Sequence, residues 1–247
     1  MTDNASPLLA LALAVVLVLL VLRAVPAANA RASRGWVVAF VATLVLYLGL
    51  ATLPGLLPGD RLFGDRWNWS GPLLGLAGAL WIASMLVRRV GASWREMGFT
   101  WAQRPGSIGP ALWVSAGALS LNALAMSHST FRLPAVPLQT WLYQATLPGL
   151  VEESVFRGVL LALLDRAFAS RGNGGRGSFD LLGASIGWGG VVVTLVFVAL
   201  HGVTAGTLTG VLPAAVLYLW LRVRTGSLVL PIAVHNLWNL LVHVAHL

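Results

Sequence analysis

Cysteine and lysine are both missing from this 247-residue chain. Without cysteine there can be no disulfide, no thiolate nucleophile and no cysteine-held metal. Charge of either sign is scarce: Asp, Glu, Lys and Arg together make up 10% of the residues, against 57% apolar types. That is the composition of a multi-span membrane protein. The net charge of +8 therefore carries no suggestion of nucleic acid, because all 16 basic residues are arginines and most lie in short stretches between apolar segments. Also missing are H-E-x-x-H, the usual helical spacing of a zinc protease, any internal repeat, and any separable soluble segment.

What is present is a series of apolar runs. They predict an all-α, polytopic membrane helix bundle of about eight transmembrane helices, over roughly 7–22, 35–53, 72–87, 108–126, 138–164, 181–201, 208–223 and 228–247. The residues before the first run carry an acid and no base, unlike a secretory leader, so this run is expected to be retained as a span. Trp67 and Trp69 suit a membrane-interface belt, and the semi-polar stretch Trp94–Arg104 suits a connector lying on the cytoplasmic surface. The segment Asp165–Asp180 is the most polar of the chain and, with its glycine-rich centre, is expected to be a flexible loop. With the N-terminus outside, loops one, three, five and seven hold 12 arginines and the even loops hold three. That asymmetry sets the expected orientation. Two parts are expected within one membrane domain: helices one to four over 1–137 and a catalytic core over 138–247.

The informative polar residues sit inside the apolar runs. Glu152, Glu153 and Arg157 occupy the fifth run, where an ionised side chain costs about 2.5–3.5 kcal/mol on insertion scales and so marks a task. Glu153 and Arg157 are four apart on a helix and can pair, leaving Glu152 to point elsewhere. Pro148-Gly149, one turn earlier, is expected to bend the helix and free backbone groups that must find partners. His201 ends the sixth run, and His235 and Asn239 share a face of the eighth. Asn236 could face either the site or a neighbouring helix. Gly202, Gly206 and Gly210 recur every four residues, as in a close helix-packing face. A carboxylate can take a proton from water, an imidazole can orient that water, and His235 with Asn239 could donate to the oxyanion of a tetrahedral intermediate. The set therefore suits amide hydrolysis. Glu152 and His235 fall at matching depths, nearer the inner face. His201 does so only if its helix starts late, near Trp188, which would bring it closer to mid-span.

The set E-E-x-x-x-R at Glu152–Arg157, F-x-x-x-H at Phe197–His201 and H-x-x-x-N at His235–Asn239, in that order, resembles the CPBP intramembrane proteases. These include the type II CAAX prenyl endopeptidases, the bacteriocin-processing and immunity proteins, and the Abi proteins. Met97-Gly98-Phe99 resembles the short glycine-containing connector often found upstream. The resemblance implies a membrane endopeptidase in which Glu152 and His201 activate water and His235 and Asn239 form the oxyanion hole, with Glu153 and Arg157 in support. No cofactor is expected; zinc or another divalent metal on Glu152, His201 and His235 is the alternative. The expected substrate is a membrane-anchored protein or peptide, and the expected surroundings are a bilayer, namely a bacterial inner membrane with the active site nearer the cytoplasmic side. Two other functions fit parts of the pattern. A proton-coupled transporter would use buried Glu and His as relays, but would spread them along a path through both leaflets. A catalytically idle immunity or scaffold protein would keep only the fold.

Overall fold

The computed structural model describes residues 16, 30–56, 68–127, 137–169, 178–202 and 204–244. Within them the chain is nearly all-α, as expected. Helix α1 (Ala30–Thr52) ends in a short 3-10 turn. Helices α2 (Ser70–Val90) and α3 (Ile108–Ser127) follow. Next come α4 (Leu138–Glu152), a stretch of wide π-type turns (Glu153–Leu160) and α5 (Leu161–Ala169), which run on as one rod. A hairpin of β1 (Ser178–Leu181) and β2 (Ala184–Gly187) leads into α6 (Trp188–Leu200). The last elements are a π-type turn at Thr207–Val211, α7 (Leu212–Thr225) and α8 (Val229–Val244). By length and composition, three helices can cross a membrane: Arg34–Thr52, Ser70–Val90 and Ile108–Ser127. The apolar helices Trp188–Leu200 and Val229–Val242 are shorter, so the full count of eight is not reproduced. The first expected span lies outside the described residues apart from Val16, as do Trp67, His128 and His246.

Small residues set the closest helix contact. Gly71, Gly75, Ala79 and Ala83 form a buried stripe at four-residue spacing on α2, which lets two backbones approach in the absence of a hydrophobic drive within lipid. A Cβ on Gly75 would come within 2.8 Å of the Tyr47 ring on α1. Much of α3 faces outward instead, with Trp113 and Leu121 exposed. The rod over 138–169 runs through the centre, burying Val151, Val155, Val159, Leu160, Leu163 and Leu164.

Three expectations are corrected here. The polar stretch after Leu164 is not all loop: 165–169 continue α5 and Ser178–Leu181 is a strand. The sixth span does not start at Leu181, because residues 181–187 belong to the antiparallel hairpin. Leu182 and Gly183 both take positive φ, 49° and 73°, which fits a two-residue turn of matching twist. The hairpin is tied to the end of α7, where Trp220 Nε1 donates to the Leu181 carbonyl at 2.8 Å and Arg224 Nη1 to the Gly183 carbonyl at 2.7 Å. Finally, among the described residues a Cβ on Gly202 or Gly210 would meet nothing within 4 Å, and one on Gly206 only Thr204 Oγ1 at 3.8 Å. These glycines are not a packing face, since the chain leaves the helix at His201 and the four-residue spacing no longer marks one side.

The connector between α2 and α3 is not a loose surface segment. Met97 is fully buried. Gly98 takes φ +83° with the Arg222 guanidinium against it, and its carbonyl accepts the Leu228 N–H at 3.0 Å. Arg222 Nη2 donates to the Glu96 carbonyl at 2.7 Å, and the Arg104 N–H to the Thr225 carbonyl at 2.8 Å. Residues 96–104 thus form a strap lashed across the start of α8. On its outer side, Glu96 makes a two-pronged pair with Arg166, at 2.7 and 2.8 Å.

Candidate active site

Pro148 has no N–H to give to its own helix, and the gap is closed from α8. The Gly149 N–H donates to Asn236 Oδ1 at 2.8 Å, and Asn236 Nδ2 donates to the Thr146 carbonyl at 3.3 Å. Gly149 is needed there, because a Cβ would lie 2.5 Å from Asn236 Oδ1 and 2.6 Å from the Ile232 carbonyl oxygen. Asn236 therefore stitches the break shut. This places α4 and α8 side by side and sets the register of Glu152 against His235.

The π-type turns begin at Glu153, immediately after Glu152, and all eight of their residues are buried. Such widened turns occur often at functional sites. Glu153 Oε1 lies 3.2 Å from Arg157 Nη1 and 2.8 Å from His235 Nδ1, with Glu153 and Arg157 wholly buried. Arg157 Nη2 donates to the Ala215 carbonyl at 3.1 Å, and its guanidinium lies 4.2 Å from the Phe197 ring centre. The expected Glu153–Arg157 pair is present. Its extension to His235 was not foreseen, because nothing local in the sequence joins residues so far apart.

In a neutral imidazole, donation from His235 Nδ1 to the Glu153 carboxylate leaves Nε2 with the lone pair. Nε2 lies 3.9 Å from Glu152 Oε2. Among the described residues that carboxylate oxygen is buried with no hydrogen-bond partner, although the Glu152 side chain as a whole is a quarter exposed. His201 is held in the same tautomer by different means. Its Nδ1 is 2.8 Å from the Phe197 carbonyl, which can only accept, so its Nε2 is also free. The late helix start at Trp188 is observed, but His201 sits at the helix end and not at mid-span, because α6 stops at Leu200.

Glu152, His201, His235 and Asn239 all line one cavity of about 230 Å³, together with Phe197, Gly210, Val211, Ala214, Tyr218, Trp238 and Val242. The four expected residues are thus brought together from α4, the end of α6, and α8. Within the cavity the short approach is between Glu152 and His235. Among the described residues, no group of three or more His, Asp or Glu side chains is spaced to hold a metal ion.

Tyr218 and Arg222 were missed by the sequence reasoning. Tyr218 sits in an apolar run that looks like packing, and Arg222 looks like a loop arginine. Arg222 is in fact buried within α7, where its Nε donates to the Arg157 carbonyl at 3.2 Å. The signal for Asn236 was available in Pro148-Gly149, which requires a partner somewhere.

The arrangement can do one kind of chemistry directly. A water in the cavity would find a carboxylate and an imidazole side by side on its wall, with apolar residues around them. Comparison with known proteins points the same way. Residues 134–241 match the family model described as type II CAAX prenyl endopeptidase Rce1-like. No curated protein and no solved structure matches the chain.

Proposed function

From a chain whose residues 134–241 carry the match to the CAAX endopeptidases, consistent with a CPBP family protease, we propose an integral membrane endopeptidase that cuts a peptide bond in a membrane-associated protein or peptide. Glu152 is the general base. Water held in the cavity beside the Glu152 carboxylate and His235 gives its proton to Glu152 as its oxygen attacks the scissile carbonyl carbon. Asn239 supplies an amide N–H to the resulting oxyanion. His201 faces the intermediate from the far end of the cavity, with Nε2 as a further site for a proton. Collapse breaks the C–N bond, the proton on Glu152 passes to the leaving amine, and a carboxylic acid and an amine result. Glu153 keeps the His235 proton on Nδ1, and Arg157 neutralises Glu153. The reaction is assigned to a bacterial inner membrane, nearer its cytoplasmic side, and needs no metal.

The observation that carries this reading is the single cavity that Glu152, His201, His235 and Asn239 line together, with the Glu152 carboxylate 3.9 Å from His235 Nε2. The test is comparative proteomics of membrane proteins from cells carrying the native chain or Glu152→Gln. An uncut precursor should accumulate in the variant. With that precursor as substrate, the purified variant should lose about 10²–10⁴-fold in kcat at unchanged expression. Full cleavage by Glu152→Gln would remove Glu152 as the base. Activity lost to a chelator and restored by zinc would overturn the metal-free mechanism.

A further inference from the structure

A single hydrogen bond does not fix an imidazole. The contact from Nδ1 to Glu153 holds one ring atom only while the ring keeps its plane: rotation about the Cβ–Cγ bond breaks that contact and carries Nε2 away from Glu152. The plane is held by something else. The Tyr218 ring lies parallel to His235, with centroids 4.6 Å apart and planes at 12°. Phe197 meets His235 edge-on, with centroids 6.4 Å apart. Tyr218 is itself almost fully buried and lines the cavity. It cannot move independently, because α7 is tied to the Glu153 turn on either side of it. Ala215, three residues before, accepts from Arg157, and Arg222, four residues after, donates to the Arg157 carbonyl. Positions 215, 218 and 222 share one face of the helix, and that face clasps the glutamate–arginine–histidine relay.

We infer that Tyr218 is a positioning residue of the site: its ring, and not its hydroxyl, sets the plane of His235 and so aims Nε2 at the water beside Glu152. The kinetic consequence rests on the proposed hydrolysis; the structural consequence does not. The full chain in detergent micelles, labelled with ¹⁵N in histidine only, separates the two. The His235 signals are assigned by their loss in His235→Gln. The native chain should show a fixed tautomer, with Nδ1 bearing the proton. Tyr218→Phe should retain it. Tyr218→Leu should lose it, giving the averaged nitrogen shifts of a ring that turns and exchanges, while the other histidine signals stay in place. Tyr218→Met takes the place of the leucine variant if that chain does not fold. In cleavage of the precursor, Tyr218→Leu should lower kcat on the order of 10- to 100-fold with KM held, and Tyr218→Phe should restore it. A fixed tautomer surviving in Tyr218→Leu would overturn the assignment. So would its loss in Tyr218→Phe, which would place the role on the hydroxyl. If the tautomer responds as expected but no precursor is cut by any variant, the proposed reaction fails and the positioning role stands.

Discussion

Glu153→Gln is the most searching perturbation of the buried relay. The substitution keeps the shape and one oxygen but removes the charge that faces Arg157 Nη1 at 3.2 Å and His235 Nδ1 at 2.8 Å. At an effective dielectric constant near 20, opposite charges at that first separation attract by about 5 kcal/mol. Breaking one side of a buried pair costs about 3–5 kcal/mol in practice, because the survivor is left uncompensated. The survivor here is Arg157, wholly buried, with the Ala215 carbonyl and the Phe197 and Tyr218 rings in place of the carboxylate. The variant should therefore be destabilised by about 3–5 kcal/mol, two to four decades in the folding constant at about 1.4 kcal/mol per decade. Reversible unfolding by SDS in mixed micelles measures it. Removing both charges, as in Glu153→Leu with Arg157→Met, should cost much less than the two single changes summed, since no orphan charge remains. A loss below about 1 kcal/mol for Glu153→Gln, or simple additivity in the double variant, would refute the reasoning and reduce the pair to an incidental contact.

Asn236→Leu leaves the Gly149 N–H and the Thr146 carbonyl without their partner, so it should cost about 1–3 kcal/mol in the same unfolding assay. Gly149→Ala drives a methyl into Asn236 and the Ile232 carbonyl; it should lower cleavage by parting α4 from α8, with part of the loss recovered in combination with Asn236→Ala. On the strap, the Arg166 guanidinium holds the Glu96 carboxyl below its ordinary range. Its value when folded thus lies beneath its unfolded one, so the stabilisation is full above an ordinary glutamate value of about 4.3 and fades as pH falls through the lowered folded value. The pair is partly exposed, which limits the effect to about 1 kcal/mol. Glu96→Gln should lower stability by that amount at neutral and alkaline pH, leave it nearly unchanged at low pH, and so flatten the acid limb of the stability curve.

The sequence made Glu152, His201, His235 and Asn239 legible because polar side chains in apolar helices stand out one by one, and their shared cavity follows from the helices that carry them. It also made Pro148 legible as a break. It hid the partner of that break, because any of several amides could have served and Asn236 is 87 residues away. It hid the hairpin over residues 178–187 because Leu181–Gly187 is apolar enough to extend the next helix, and only the positive φ at Leu182 and Gly183 reveals the turn. It misassigned Arg222 because an arginine near a helix end matches a cytoplasmic loop equally well. Its burial depends on two backbone carbonyls that no local pattern announces.

The strap over residues 96–104 has a bearing on where this enzyme can be cut. The stretch resembling the CAAX endopeptidases starts at 134, yet Arg222 and the Leu228 amide within that stretch spend their hydrogen bonds on the carbonyls of Glu96 and Gly98. A fragment trimmed to the limits of similarity would leave Arg222 with one of its two backbone acceptors, the Arg157 carbonyl, and take the Gly98 carbonyl from the Leu228 amide. The smallest unit able to fold has to begin upstream of Ser93, so the border that homology draws and the border that folding respects are two different places.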